Sequence, residues 1–83
     1  MNRTDINRIW IDNEAIWIET TDGRIGFESF AEYSRLRNAN REALDNYTLS
    51  YFGIHWPELD EDLSFDGFFS KSEEKQFLYA QEA

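Results

Sequence analysis

The residues best suited to bind a metal ion lie in one run near the C-terminal end of the chain. Oxygen-bearing side chains and a glycine fall there on the ligand and turn positions of a calcium-binding EF-hand loop. These residues are Asp62, Ser64, Asp66, Gly67, Ser70 and Glu73. Phe65 and Phe69 occupy positions that normally hold other residue types, and Pro57 interrupts the helix that should enter the loop. We therefore expect no metal ion and no cofactor, with calcium binding as a minor alternative.

Four acidic residues, three of them just before this run and one at its first position, could bind a basic protein or imitate a row of phosphates. They are Glu58, Asp60, Glu61 and Asp62. Acidic runs of this kind are usually solvated turns, and exposed charge pairs contribute little to stability. We favour the solvated turn and retain the run as a candidate surface for a partner.

His55 is the only histidine, and no neighbour in the sequence completes a catalytic group around it. A general base needs a nucleophile or a carboxylate held beside it. His55 alternates with Ile54 and Trp56, which is typical of a residue on a strand face. The four glycines are isolated, so the sequence contains no phosphate-binding loop. We predict no enzymatic activity; a small enzyme would need a deep pocket lined by His55 and carboxylates.

Length and composition limit what can position these side chains. The 83 residues are expected to form a single domain, 1–83, and a chain this short buries only about 60% of its unfolded surface. Cysteine is absent, which excludes disulfides and favours a reducing compartment. The polar N-terminal residues lead into no long apolar run. We therefore expect a soluble cytoplasmic protein without a signal peptide or a membrane span.

The net charge of −9 is concentrated in the second half of the chain. Residues 1–41 contain six Arg and seven acidic residues, whereas residues 42–83 contain two Lys and ten acidic residues. An acidic surface repels nucleic-acid phosphate, so we do not expect direct binding of DNA or RNA. The same charge would attract a basic protein, although it is also a common means of staying soluble.

Two Ile-Trp-Ile runs, at residues 9–11 and 16–18, predict the first two strands of an antiparallel meander over about residues 6–28. If Asn13-Glu14 forms a two-residue turn, with Asn13 at a positive φ, Trp10 lies opposite Trp17. Glu14 suits the second turn position poorly, so a longer turn stays open. The register also pairs the flanking isoleucines with each other. The two indoles would then lie on one face of the sheet and the isoleucines on the other.

Asp22-Gly23 is the strongest hairpin signal in the chain and predicts the third strand of the meander. Interpreted as a two-residue turn, it pairs Ile18 with Phe27. One face of the sheet would then be apolar and form the core: Ile9, Ile11, Ile16, Ile18, Ile25 and Phe27. The Trp pair on the opposite face is either covered by a later part of the chain or exposed as a partner surface, because Trp is enriched in binding hot spots.

Helix signals follow the meander, so the sequence predicts an α+β fold. Ser29 and Glu32 fit a capping box that begins the first helix. Asn40 is placed to cap a second helix. We therefore predict two short helices within about residues 30–46, with the apolar residues of the first facing the core at intervals of three.

The remaining segments predict a strand and a terminal helix. Residues 47–56 read as a further strand or short hairpin, interrupted near Gly53 and ended by Pro57, which cannot donate a ladder hydrogen bond. Residues 66–69 are expected to form a turn or a short helical turn. Residues 70–82 predict a C-terminal helix whose apolar face is weak.

Two runs resemble the bacterial family called domain of unknown function 2442. Residues 16–24 (IWIETTDGR) are similar to its second strand and turn, and residues 53–64 (GIHWPELDEDLS) are similar to its closing signature. The order of elements agrees, including an Asn-Ala element at Asn38. The resemblance covers about residues 6–69 and leaves 70–83 as a C-terminal extension. It implies a small α+β fold and no catalytic residues.

The resemblance also implies a partner for this chain. Family members are similar to modules encoded beside a second small protein, which suggests a two-gene pair of the toxin–antitoxin type. Some are fused to a helix-turn-helix, for which this chain is expected to have no room. We therefore predict a non-enzymatic module that binds a protein partner as the antitoxin-like member of such a pair. The alternative is an acidic inhibitor that imitates nucleic acid, and a homodimer stays open.

Overall fold

The structure is a computed structural model that describes residues 1–69, and it contains two three-stranded antiparallel sheets. The chain begins with a 3-10 turn at Arg3–Asp5. The first sheet follows in sequence order as β1 (Ile6–Ile11), β2 (Ala15–Thr20) and β3 (Ile25–Ser29). The predicted N-terminal meander and the α+β class are therefore confirmed.

Short helical elements connect the first sheet to the second. In chain order they are a 3-10 turn (Phe30–Glu32), α1 (Ser34–Arg37) and α2 (Arg41–Asp45). The Ser29 side chain accepts a hydrogen bond from the Ala31 amide, and the Asn40 side chain accepts one from the Ala43 amide. Ser29 and Asn40 are thus both N-caps, as predicted, although the element that Ser29 caps is a 3-10 turn. In residues 1–69, no helix is long and apolar enough to cross a membrane.

The second sheet is built from a hairpin and a third strand. Its strands are β4 (Thr48–Leu49), β5 (Gly53–Trp56) and β6 (Glu61–Ser64), which are paired in that order. The predicted interruption near Gly53 and the stop at Pro57 are confirmed. β6 was not predicted, because acidic residues have low strand propensity and an edge strand tolerates them on its outer face. Residues 65–69 are helical, and the predicted helix at 70–82 lies outside the described residues.

The β1–β2 register is the predicted one, but its turn forms in a different way. Ile9 pairs with Ile18, Trp10 with Trp17 and Ile11 with Ile16. The prediction of a positive φ at Asn13 is wrong, since in the described chain only Asp60 and Gly23 have one. Instead, the Asp12 amide donates to the Ala15 carbonyl at 3.0 Å, and the Ala15 amide donates to the Asp12 carboxylate at 2.8 Å. A side-chain acceptor therefore replaces the backbone carbonyl in closing this turn.

The β2–β3 loop is one residue longer than the Asp22-Gly23 turn predicts. The Gly23 amide donates to the Thr20 carbonyl at 3.0 Å, and the Thr20 amide donates to the Arg24 carbonyl at 2.8 Å. Gly23 alone of the loop residues has a positive φ, of 91°. These features define a three-residue loop with a glycine bulge. A two-residue turn would need a positive φ at Asp22 as well as at Gly23.

The longer loop reverses the predicted faces of β3. Trp17 pairs with Phe27 and Ile18 with Gly26, so the predicted pairing of Ile18 with Phe27 is wrong. Because successive strand residues alternate in direction, a shift of one residue moves every side chain to the other face. Ile25 and Phe27 consequently lie on the Trp face. Gly26 and Glu28 face the core in their place.

The core lies between the two sheets and the helical elements. Its buried members are Ile16, Ile18, Phe30, Leu36, Leu44, Ile54, Trp56, Leu63, Phe65, Phe68 and Phe69. Ile9 and Ile11 pack against them as partly buried residues, as the predicted inner face requires. Trp56 is fully buried, and its Nε1 donates to the Leu44 carbonyl at 2.9 Å, which joins β5 to α2.

Candidate functional site

The outer face of the first sheet carries a row of stacked side chains, Arg8, Trp10, Trp17 and Phe27, which we call the aromatic row. The Trp10 and Trp17 rings are nearly parallel, with an interplanar angle of 4° and centroids 6.1 Å apart. The Phe27 ring lies 4.7 Å from that of Trp17. The Arg8 guanidinium lies 4.5 Å from the Trp10 ring centre. Aromatic stacking and cation–π contacts of this kind each contribute roughly 0.5–1.5 kcal/mol.

Both indoles of the aromatic row are half-buried. They are neither enclosed in a second core nor fully exposed, which are the two alternatives that the sequence leaves open. The two indoles stack on each other, and Arg8 and Phe27 lie against the outer members of this pair. Glu19 accepts hydrogen bonds from Arg8 Nε at 3.1 Å and from Asn7 Nδ2 at 2.9 Å, and thereby fixes the cationic end of the row.

Asp12 fixes the position of Trp17 within the row. Its carboxylate accepts hydrogen bonds from the Glu14 and Ala15 amides, each at 2.8 Å, and from Trp17 Nε1 at 2.9 Å. The hydrogen bond from the Glu14 amide, followed by those from Trp17 and Ala15, holds the pKa of Asp12 below its usual value even though desolvation opposes this shift. One carboxylate thus joins the β1–β2 turn to the surface indole.

We expect Asp12→Ala to lower the free energy of unfolding by about 1 kcal/mol at neutral pH, because two turn amides lose their acceptor. A carboxyl whose pKa is lowered by folding stabilises the protein above its unfolded pKa, and this stabilisation is lost as the pH falls through the folded value. Urea unfolding should therefore show a difference between the wild type and Asp12→Asn above about pH 4 that shrinks in more acidic solution. A difference that is independent of pH would contradict this assignment.

The acidic run is divided between a turn and a strand, and most of its carboxylates have partners within the chain. Glu58 accepts a hydrogen bond from Asn46 Nδ2 at 3.1 Å. Asp60 has a left-handed φ of 50°, and Arg35 donates to its carbonyl at 2.7 Å and lies 3.8 Å from its carboxylate. The prediction of a solvated turn fits these two residues. Glu61 and Asp62, by contrast, belong to β6 on the second sheet, away from the strands that carry the Trp pair.

His55 has the carboxylate neighbour that sequence reasoning missed. Asp62 lies opposite it on β6, with Oδ1 2.7 Å from His55 Nδ1. Thr48 lies opposite it on β4, and the Thr48 hydroxyl donates to the His55 carbonyl at 3.5 Å. The His55 and Asp62 side chains are 39% and 75% exposed, so the pair lies on an open sheet face instead of in a deep pocket. Recognition of β6 as a strand would have revealed this pairing.

Within residues 62–69, the described part of the calcium-loop match, the chain forms a strand and a helical segment instead of a loop. Asp62 and Ser64 lie in β6, while Asp66 and Gly67 lie in the helical segment that follows. The Ser64 hydroxyl accepts a hydrogen bond from the Gly67 amide at 3.1 Å. The remaining two predicted ligands, at positions 70 and 73, lie outside the described residues. Within residues 1–69, no group of three or more histidine or acidic side chains could hold a metal ion.

The predicted register places Glu28 on the outer face of the first sheet, but the structure buries its carboxylate on the core face. It is 2% exposed, lies opposite Ile16, and accepts a hydrogen bond from the Tyr33 hydroxyl at 2.7 Å. The glycine bulge at Gly23 turns it inward. If the Asp-Gly loop is interpreted as three residues long, the sequence places Glu28 on the core face.

A shallow depression of about 410 Å³ lies where the β1–β2 turn meets the helices. Leu36 and Leu44 contribute to its apolar part, and Glu14 and Arg37 are among its charged lining residues. His55 does not line it. The depression therefore does not provide the pocket that a His55-based enzyme would require.

Comparison with known proteins agrees with the sequence resemblance. The model of the family described as "Protein of unknown function (DUF2442)" matches residues 6–74. No curated protein and no solved structure gives a significant match. The matched range covers well over half of the chain and includes both of the runs that carry the resemblance. The chain therefore belongs to the family of domain of unknown function 2442.

Proposed function

We propose that this chain is a non-enzymatic protein-interaction domain that binds its partner through the outer face of the first sheet. The aromatic row is the observation that supports this proposal. Trp and Arg are the residue types most enriched in binding hot spots, and this face presents both in contact with each other. Asp12 and Glu19 hold the row in place, so binding would lose little conformational entropy there.

The family resemblance supports a finer proposal about the partner. A module encoded beside a second small protein would act on that protein, with this chain as the neutralising, antitoxin-like member. An acidic inhibitor that imitates nucleic acid is the alternative. The structure favours it less, because Glu58, Asp60 and Asp62 contact polar or basic residues of the chain itself.

Co-purification from the native host with two variants of the full chain tests the docking face. We expect Trp10→Ser to reduce retention of the partner by at least about tenfold, since hot-spot truncation removes 2 kcal/mol or more of binding energy. Thr48→Ala, on the outer face of the second sheet, is the control and should retain the partner fully. Calorimetry with the purified partner would then measure the same difference directly.

Three results would decide against the proposed face. One is equal retention of every partner by Trp10→Ser and the wild type, and another is retrieval of no partner at all. The third is loss of the partner in Glu58→Gln and Asp62→Asn variants with full retention by Trp10→Ser, which would favour the acidic inhibitor. Circular dichroism must show that each variant remains folded.

A further inference from the structure

β1 lies at an edge of the first sheet, because β2 is its one paired neighbour in the described chain. The Asp12 amide donates to the Ala15 carbonyl at 3.0 Å and therefore points toward β2. Along an antiparallel strand, the backbone groups of successive residues point alternately toward and away from the neighbouring strand. Trp10 consequently bonds to β2 through its backbone, whereas the amide and carbonyl of Ile9 point away from the sheet.

Contacts at both ends of β1 limit its unpaired side to the middle of the strand. Arg41 Nη2 donates to the Ile11 carbonyl at 3.0 Å, as expected for a carbonyl that points away from β2. At the other end, the register is irregular between Ile6 and Arg8. Within residues 1–69, the amide and carbonyl of Ile9 have no hydrogen-bond partner, and we call them the open edge. An extended segment of another chain has the groups that would pair with them.

A depression of about 320 Å³ borders the open edge, between β1 and β4. Its apolar lining residues are Ile6, Ile9, Tyr47 and Leu49, all of which pack against the core as partly buried residues. Because side chains alternate along a strand, every second residue of a segment paired with β1 would lie on the Ile9 face, over this depression. The residues between them would lie on the outer face, beside the aromatic row.

The charged side chains that line the depression are both arginines, Arg3 and Arg8. Glu19 neutralises Arg8, with Oε1 3.1 Å from Nε. Asp5 and Asp22, at the same end of the first sheet, line a different depression. Arg3 is exposed and has no ion-pair partner within residues 1–69. A carboxylate is therefore the group that complements this depression.

We propose that β1 binds an extended segment of a partner protein as an added strand, with an apolar residue over the depression and an acidic residue beside Arg3. This inference rests on the proposed role in protein binding, and it adds the conformation and the chemistry of the partner segment. Backbone hydrogen bonds to Ile9 supply affinity, and side chains at alternate positions supply specificity. The outward residues of the segment lie next to Arg8 and Trp10.

A displayed library of random linear peptides, selected on the full chain, is the probe for this proposal. Selected peptides should alternate apolar and polar residues and contain at least one Asp or Glu. At saturating peptide, amide hydrogen exchange measured by NMR should slow at least about tenfold at Ile9, because its amide gains an acceptor. The Trp10 amide is the internal control, since its hydrogen bond to β2 protects it in the free chain, and its exchange should change less.

N-methylation of alternate residues in a selected peptide tests the strand pairing directly. One set of peptide amides points toward β1, and the other set points away from it. Methylating the first set should weaken binding about tenfold or more, because backbone hydrogen bonds to the open edge are lost. Methylating the second set is the matched control and should change the affinity less than about twofold.

Arg3→Ala tests the charge complement. It should weaken peptide binding about two- to fivefold, which is the effect of one exposed ion pair, and the difference should shrink with added salt. Arg37→Ala removes the same charge from α1, outside the depression, and is the matched control. It should bind the peptides as the wild type does.

The same measurements separate this proposal from the proposed function. Selection that yields no binding peptide, or equal affinities of the two methylated peptides, would overturn strand addition. If Trp10→Ser abolished binding and Ile9 exchanged at its free rate in the wild-type complex, the outer face would stand and the open edge would not. If Trp10→Ser bound as the wild type does and Ile9 was protected, the open edge would stand and the outer face would not. Protection of Ile9 that rises with chain concentration, without peptide, would assign the edge to a second copy.

Discussion

Replacing Gly53 by alanine is expected to lower the free energy of unfolding by about 3 kcal/mol or more, at the upper end of the cost of overpacking. Gly53 is buried on β5, directly opposite Ser64 on β6. A Cβ atom at this position would overlap the Leu63 carbonyl oxygen and lie 3.0 Å from the Ser64 Cα. Both obstacles are backbone atoms, so the two strands would have to separate to make room.

Gly67→Ala is the matched control for Gly53→Ala. A Cβ atom at Gly67 would meet only side-chain atoms, the nearest being Ser64 Oγ at 3.2 Å, and the residue lies in a helical segment that favours alanine. Urea unfolding followed by circular dichroism should show a large loss for Gly53→Ala and a change within about 1 kcal/mol for Gly67→Ala. Similar stabilities for the two variants would show that β5 and β6 are not in close contact at Gly53.

Replacing Trp56 by alanine is expected to lower the free energy of unfolding by about 3–5 kcal/mol, the usual cost of removing a buried Trp or Phe. Trp56 is fully buried and contacts Tyr47 edge to face, with ring centroids 6.2 Å apart. Its Nε1 donates to the Leu44 carbonyl at 2.9 Å, so the variant loses packing and also leaves a buried acceptor without its donor. In a domain of this size, the melting temperature should fall by roughly 12 °C or more.

Trp56→Phe tests the Nε1 hydrogen bond with part of the ring packing retained. It removes the Nε1 donor and leaves a small cavity where the second ring was, so we expect a cost of about 1–3 kcal/mol, smaller than that of Trp56→Ala. Thermal unfolding monitored by circular dichroism gives both values without relying on Trp fluorescence. A loss of less than about 1 kcal/mol for Trp56→Ala would contradict the central position that the structure gives this residue.

Gly53 and Trp56 both lie in residues 53–64, the run that resembles the closing signature of the family. The first permits close contact between β5 and β6, and the second joins β5 to α2. Between them, Ile54 is buried and His55 faces outward beside Asp62. The run is therefore chiefly structural, and it supports the hairpin that displays Tyr51 and Phe52 at its end.

Structural features that depend on residues close together in the sequence were predicted correctly. The alternation in the two Ile-Trp-Ile runs determined the β1–β2 register and placed Trp10 beside Trp17. Ser29 and Asn40 identified the beginnings of two helical elements, because their side chains accept amides only a few residues away. The predicted faces of β3 were wrong because the β2–β3 loop is one residue longer than the predicted turn. Gly23 provides the loop's only positive φ, and the resulting bulge turned Phe27 outward and Glu28 inward.

The amino-acid sequence by itself determined the α+β class, the Trp pair and the concentration of acidic charge in the second half of the chain. The tertiary structure decided which side chains the two sheets bring together on their surfaces. It placed Phe27 in the aromatic row, Asp62 beside His55, and an exposed pair of aromatic rings at the end of the second hairpin. Local patterns set strand and helix propensity, whereas these positions depend on loop length and on pairing between strands, which are fixed only when the whole domain packs.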